Sequence, residues 1–506
     1  MDNLNLDERG VSSRRDRPAA LPLRVFASPR LPLTPQELAG LERVATLEDV
    51  AQVVALPDLH LKPQLETPSS TVTATHQSII LSLSSPSAGC GMALALTALF
   101  AEAGKADLGG DLSAAHLDQL FTQLARLLPL RRDGLSPRFA QPGSAGIEQI
   151  LLHGAAGAVQ RFDLDPRLTG YIERQGNALA SPAQTTGSQA LTPELVLSAI
   201  PPQFLSLAAR EFGGIGAGNH FLELQVVEEI LDQQVASRWS VQPGQVVVMY
   251  HADSGRLGAL LGRWYAYRRK NNWRGRWLEL RYKTAFHFSQ AGSVREAYSR
   301  ANYYFAPRRH TALPAGSPLA RQALLAMGAA TNYAYANRVA ILAALRDSLQ
   351  AVWGRRLAAP TLLYDVTHNS IRQEQGLWVH RHNASQALPA GHRDLQGTPY
   401  AETGQPVLLP GTHRTCSYLC AAGPEASGSL YSVDHGAGRS AWRLGQERPV
   451  AGGATRLYDT QRGYLGDQQH LSRDGVDEVL AVLSQAGLAR PVARLRPVAV
   501  LKDRPG

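Results

Sequence analysis

Two short runs anchor the reading of this chain: GQVVVMYH (Gly244 to His251) and PTLLYDVTH (Pro360 to His368). Each is a β-rich apolar run bounded by glycine or proline, the pattern of a buried strand, and each ends in a histidine. Strand ends, where the backbone leaves a sheet, commonly carry functional side chains. Between the two lies a helical pattern from Asn332 to Trp353, with Val339, Leu342, Leu345 and Leu349 at helical spacing and Gly354 placed to stop it. A second helix is predicted over Val476 to Ala486, closed by Gly487, and then a strand over Pro491 to Lys502. Strands and helices mix without a regular βαβ rhythm, so the predicted class is α+β: a single large domain of mixed sheets flanked by helices. The first twenty residues, with SSRRDRP, are too poor in apolar side chains to order themselves and read as a disordered tail, leaving 21–506 as the domain.

Composition narrows the class further. The chain has 506 residues, 44% of them hydrophobic and 18% charged, which excludes a disordered protein. Three cysteines (Cys90, Cys416, Cys420) exclude a disulfide scaffold and fit a reducing cytoplasm. The start, MDNLNLDERG, lacks a signal-like apolar core, and the apolar stretch Met92 to Phe100 is too short to span a bilayer. A cytoplasmic protein without a membrane partner is expected. The net charge is +9, but 46 of the 51 basic residues are arginine, so where the charge sits says more than its total. Between Arg256 and Arg309 there are eleven Arg and two Lys against two Glu, a net +11, together with twelve of the 34 aromatics. The densest part, WYAYRRKNNWRGRWLELRYK, contains Arg268, Arg269, Lys270, Arg274 and Arg276. Cations for phosphates and rings for unpaired bases make 256–309 an RNA-facing candidate. The competing reading is a solvated basic face with its aromatics packed beneath.

Histidine, cysteine and glycine form the other constellation: PDLH (Pro57 to His60), GCGM (Gly89 to Met92), GIGAGNHFLEL (Gly214 to Leu224), the two strand-end histidines and DHGAGR (Asp434 to Arg439). Glycine and asparagine let backbone turn sharply and approach a ligand closely. Cys90, His220, His251 and His368 could form a metal set, although no short ligand spacing marks it; hydrogen-bonded core histidines beside a buried thiol are the alternative. Cys416 and Cys420 read as packing residues on a strand. P-loop, dinucleotide and K-x-D-G signatures are absent, so a nucleotide-using reaction needs another nucleophile. His435 of HGAGR offers one, with Arg439 and backbone N–H groups to hold phosphate oxygens.

At these residues the sequence resembles the RtcB family of GTP- and manganese-dependent RNA ligases. PDLH, GCGM, GNHFLEL, NYAYANR (Asn332 to Arg338), DVTHN (Asp365 to Asn369), VHR, LPG, SYL and HGAGR occur in the family's order, from about Leu56 to Lys502. The resemblance implies a histidine–GMP intermediate on His435, transfer of GMP to an RNA 3′-phosphate, and displacement by a 5′-hydroxyl, with 2′,3′-cyclic phosphates opened first. It implies one or two Mn²⁺ ions on a bridging Cys90, with His220 on one side and His251 and His368 on the other. It further implies GTP contacts from Asn219, Glu223, Asn369, Pro410, Ser417, Gly436, Gly438 and Lys502, and an archease-like activating partner.

Departures from the family pattern bear on function. The aspartate three residues before the bridging cysteine is Ser87, and a hydroxyl is a poorer ligand than a carboxylate for a hard cation. HSGSRG becomes HADSGR, which adds Asp253; Asp253 or Asp58 could supply the missing charge. RKGA becomes Arg381-His382-Asn383-Ala384, the residue before the nucleophile is Asp434, and Arg473 stands where the guanine pocket has an aromatic. These changes describe a divergent paralogue. Beside the full ligase stand two alternatives: a partial-cycle enzyme that guanylylates or trims RNA 3′ ends, and a catalytically weak RNA-binding relative.

Overall fold

The computed structural model describes residues 11–12, 22–62, 67–101, 112–128, 142–180, 191–216, 218–266, 273–305, 310–445 and 448–502. Its organising element is a nine-stranded sheet in which Thr361–Thr367, Gly91–Phe100, Gln245–Ala252, Phe221–Ile230, Ala489–Lys502, Ser417–Ala422 and Pro406–Leu409 lie side by side in that order. The first five are paired antiparallel throughout. A hairpin, Pro449–Asp459 and Gly463–Leu471, joins through a parallel contact with Ala489–Lys502.

This sheet is buried on both faces, which explains why its strands read as unbroken apolar runs. Ala93, Ala95, Val246, Val248 and Tyr250 face a core built with the helices. The intervening Met92, Leu94, Leu96, Val247 and Met249 face a second core with Trp239, Leu388 and Tyr400. The alternation follows the two-residue period of a strand. Helix Pro318–Trp353 packs in the first core; it has 36 residues and starts fourteen positions before the predicted boundary, from a Ser317 cap whose side chain accepts from Ala320 N. Most of its residues are buried around the whole circumference, so no amphipathic stripe marks its first turns in the sequence. The predicted C-terminal helix and strand are present as Asp474–Gln485 and Ala489–Lys502.

A second, six-stranded sheet orders Val11–Ser12, Leu23–Phe26, Val50–His60, Ser69–Thr75, Leu377–His382 and Asn369–Glu374. Within the expected 1–20 tail, Val11–Ser12 thus pairs with Val25 and Phe26; the other tail residues lie outside the described set. Helices and mixed sheets together make the fold α+β. No helix among the described residues is long and apolar enough to cross a membrane.

Candidate active site and metal centre

Strand direction brings the candidate ligands together. In an antiparallel sheet neighbouring strands run oppositely, so the start of one lies beside the end of the next. Cys90 and His220 immediately precede their strands, while His251 and His368 sit at the ends of theirs. The pairings Met92 with His251, Phe221 with His251 and Thr367 with Gly91 then gather all four at one edge. Cys90 Sγ lies 3.4 Å from His220 Nε2 and 3.1 Å from His251 Nε2. One donor atom from each of these three buried residues lies within 4.8 Å of the others. The His368 ring is 4.9 Å from that of His251, centroid to centroid.

These residues fit a metal. Burial, then the neighbouring imidazoles and Arg338, hold His251 and His368 well below the usual histidine range, so both present neutral rings. His368 Nδ1 is buried without a hydrogen-bond partner among the described residues, the orphaned donor that a cation would satisfy. A thiol with imidazoles is a borderline-soft donor set for a divalent transition metal. Asp253 Oδ2 stands 3.9 Å from His220 Nε2, while its Oδ1 accepts from Gly255 N at 2.8 Å. The Ser87 carbonyl accepts from Cys90 N and Asn369 Nδ2.

One residue clamps the edge from behind. Arg338, fully buried on the long helix, donates from Nε to both Asp365 oxygens (2.8 and 2.9 Å) and from Nη1 to the carbonyls of Gly89 and Ala252. It thereby fixes three of the four strand ends. Asn337 adds bonds to Gly213 N, Gly214 O and Asp253 O. A side chain at Gly91 would overlap the Val366 carbonyl and lie 2.9 Å from Arg338 Cζ, so the second glycine of GCGM is needed for close approach.

His435 follows the short strand Ser432–Asp434, which pairs with Ala384–Gln386. Its ring lies 4.2 Å from that of His368 and 6.1 Å from that of His251. Burial, reinforced by Lys62 and His60, pushes it down to about 3, so the imidazole is neutral at physiological pH. Next in sequence is helix Gly438–Gly445, whose first amides meet the carboxylate of Asp58: Ser440 N at 2.7 Å, Ser440 Oγ at 2.6 Å and Arg439 N at 3.4 Å. Asp58 N in turn donates to Asp434 Oδ2 at 3.3 Å. The Asp58 carboxylate is therefore engaged at a helix start, whereas Asp253 is the candidate that faces a ligand. Burial pushes Asp58 up to about 6 and, together with the Asp58 charge, raises Asp434 well above the carboxylate range.

The nucleotide candidates form a second group. Glu223 and Gln225 lie on one strand face; Gln225 Nε2 donates to Glu223 Oε1 (2.6 Å) and to Ser417 Oγ (3.0 Å). Phe221 pairs with Lys502, two positions from Glu223, and burial pushes Glu223 up to about 8 against the lowering effects of Gln225 and Lys502. Gly411 N donates to Ser417 Oγ, and the Pro410 carbonyl accepts from Ala437 N. Pro410–Gly411 thus links this pocket to the His435 loop. A side chain on Gly436 would press on Pro410, and one on Gly438 would approach the Gly411 carbonyl. Asn369 Oδ1 accepts from Asn383 N, and exposed Asn219 bonds the His251 ring through its backbone. Arg381, in place of the RKGA register, is buried and holds Glu374 with two bonds, and Arg473 pairs with Asp477.

Sequence reasoning missed Lys62, Gln225, Asn337 and the clamping role of Arg338. Lys62 is one of five lysines and Gln225 stands two positions from Glu223, the only local signals they carry. Cys420 packs in a hydrophobic cluster with Cys416 against it, and burial pushes Cys416 up to about 12 and Cys420 higher. Of the RNA candidates, Arg268, Arg269 and Lys270 lie outside the described residues. Arg274 and Arg276 fall in helix Trp273–Ser289, where Trp277 and Tyr282 are exposed and the Arg281 guanidinium lies 5.6 Å from the Trp277 ring.

A family model described as tRNA-splicing ligase RtcB matches residues 40–503. The chain belongs to the RtcB family. The tRNA-splicing ligases RtcB of Aeropyrum pernix and Thermococcus kodakarensis are both 32% identical to it, over 315 and 317 residues. These matches take in 58% of this chain, and it spans about 60% of the length of those relatives. The RNA-splicing ligase RtcB of Mycobacterium tuberculosis is 29% identical over 404 residues, 76% of this chain and 83% of that protein.

Proposed function

We propose that this chain is an RNA ligase or repair enzyme that joins RNA 3′-phosphate or 2′,3′-cyclic phosphate ends to 5′-hydroxyl ends through a histidine–GMP intermediate. The observation that carries this reading is the neutral His435 ring, 4.2 Å from that of His368 at the edge shared with Cys90, His220 and His251. Family membership and the motif order support the same chemistry.

In this reading Cys90, His220, His251 and His368 hold one or two Mn²⁺ ions, with Asp253 as the carboxylate beside His220. Bound metal supplies positive charge against the triphosphate and the phosphorus under attack. His435 forms a bond to the α-phosphorus of GTP as pyrophosphate leaves. Its depressed basicity keeps the ring lone pair available at neutral pH. GMP then passes to the RNA 3′-phosphate, and the 5′-hydroxyl of a second RNA end displaces it to close the phosphodiester. Glu223 accepts the guanine N1–H and amino group, with Ser417, Lys502, Asn219 and the Pro410 loop around it; adenine lacks that donor pair. The Arg268–Arg276 region receives the RNA backbone.

Incubation with Mn²⁺ and α-labelled GTP tests the first step. Wild type is expected to take up acid-labile, hydroxylamine-sensitive label and His435→Ala none; equal, negligible label in both across several metals sinks the reading. Ser87 favours one second reading: label without joining of 3′-phosphate and 5′-hydroxyl RNA, with or without an archease-like activator, selects a partial-cycle enzyme.

A further inference from the structure

Helix Gly438–Gly445 begins three residues after His435 and presents two unlike faces. Ala437, Ala441 and Leu444 pack into a hydrophobic cluster, and buried Ser440 bonds Asp58, which fixes the inner face. Arg439 and Trp442, three residues apart and so neighbours on one helix face, are exposed on the other. Trp442 is 49% exposed, and its ring contact among the described residues is the Arg439 guanidinium, 4.4 Å from the ring centroid. The guanidinium covers one face of the indole, and nearly half of the side chain remains open to solvent.

The acidic groups nearby are already engaged. The Asp58 carboxylate serves the first amides of the helix and the Ser440 hydroxyl, and Glu37 holds Arg443 at 3.0 Å. The Arg439 side chain has no carboxylate partner among the described residues. His60 ties this face to the nucleophile. Burial, with Lys62 and Arg439 as charged neighbours, pushes His60 down to about 4, and His60 is itself among the neighbours that lower His435. A free cation lying on an open aromatic ring is the pairing that holds single-stranded nucleic acid: charge for the phosphate, ring face for the base. The helix rise places Trp442 about 4.5 Å along the axis from Arg439, so one nucleotide can offer its phosphate to Arg439 and its base to the indole. The guanine of GTP has its own candidate pocket at Glu223, which leaves this face to a base of the RNA.

We propose that Trp442, backed by Arg439, is the platform on which the last base of the RNA 3′ end stacks while the terminal phosphate lies at His435. The choice of the 3′ end rests on the ligase reading. Stacking accepts any base, because each has a π-face, so the platform holds the end without selecting its sequence.

Fluorescence anisotropy of the full chain, without GTP, gives the affinity for a labelled 3′-phosphorylated oligouridylate, for the same strand with an abasic 3′-terminal unit, and for one with the abasic unit at its middle. Wild type is expected to bind the strand with the abasic end about ten-fold more weakly than the intact one, within the range of one stacked base. Trp442→Ala, a change to the best helix former, is expected to bind those two strands equally, and Trp442→Phe to keep a preference. An indole that only steadies the helix would lower the melting temperature of Trp442→Ala and leave the preference for a terminal base intact, which overturns the platform. So does a wild type that binds none of the strands, that ignores the terminal base, or that loses affinity only when the middle unit is abasic. Coupling between Trp442 and the terminal base without label on His435 keeps the platform and sinks the ligation chemistry; label without coupling does the reverse.

Discussion

Glu223 combines a buried carboxyl, held near 8, with the proposed role of accepting two N–H groups from guanine. Those donors favour the ionised form, so guanine binding at pH 7 should expel a proton. Titration calorimetry of GTP in buffers of different ionisation enthalpy is expected to show release approaching one proton at pH 7, fading above pH 8 and absent in Glu223→Gln. The same shift has a stability consequence. Between about 4.5 and 8 the folded state holds a proton that the unfolded chain has lost, so this group's contribution falls as pH rises through that window. Histidines act oppositely: His435, near 3, is neutral when folded and charged when unfolded below about 6.5, so stability falls as pH drops through that range. Melting temperature from pH 5 to 8 is expected to decline less on the alkaline side in Glu223→Gln. At the metal, Ser87→Asp is expected to raise the Mn²⁺ retained after dialysis and Asp253→Asn to lower it, measured by elemental analysis; no change in either variant removes Asp253 and Ser87 from the account. Cysteine and histidine beside glycine were readable from sequence because few residue types bind metals. Lys62 and Gln225 were not, because they matter only through neighbours that pairing far along the chain supplies.

At the level of elements, the site depends on one helix. Arg338 joins Asp365, Gly89 and Ala252, so the long helix holds the strand ends that carry Cys90, His251 and His368. Arg338→Met leaves Asp365 buried without its partner, a loss of about 3–5 kcal/mol. Urea unfolding is expected to show that loss together with weaker metal retention. Arg338→Lys keeps the charge but not the fork that reaches both the carboxylate and the carbonyls, and is expected to fall between. A wild-type midpoint in Arg338→Met would show that the clamp contributes nothing. The strands expected over 244–251, 360–368 and 491–502 lie within two residues of those bounds, since such apolar β-branched runs are flanked by glycine and proline. The first fourteen residues of the helix were not: PLARQALLAMGAAT is buried around most of its circumference and carries no clear amphipathic stripe. NYAYANR was visible as a motif, but its asparagines and arginine bond to segments more than eighty residues away, or to Asp365 across a turn of chain that only the fold closes.

Charge is divided unevenly over the whole molecule. The segment 256–309 carries +11 of the +9 total, so everything else sums to −2. An overall basic surface would attract RNA indiscriminately; in the proposed function one basic, aromatic segment next in sequence to His251 would attract it to one place. Each phosphate neutralised on a single strand adds about 0.7 to the slope of log affinity against log salt. Arg274→Gln with Arg276→Gln is therefore expected to reduce the slope for a single-stranded RNA by about 1.4. Arg355→Gln with Arg356→Gln, an exposed pair just past the long helix, removes the same charge and is expected to leave the slope unchanged. Trp277→Ala tests the other half of the composition. Trp277 is 58% exposed, a cost that packing does not explain, and stacking on a base involves no counterion. Its loss should weaken binding by about 1–3 kcal/mol per stacked base with the slope unaltered. Equal slope changes from the two arginine pairs would mean that RNA senses only the net charge, and the basic segment would then be a solvated face over packed aromatics.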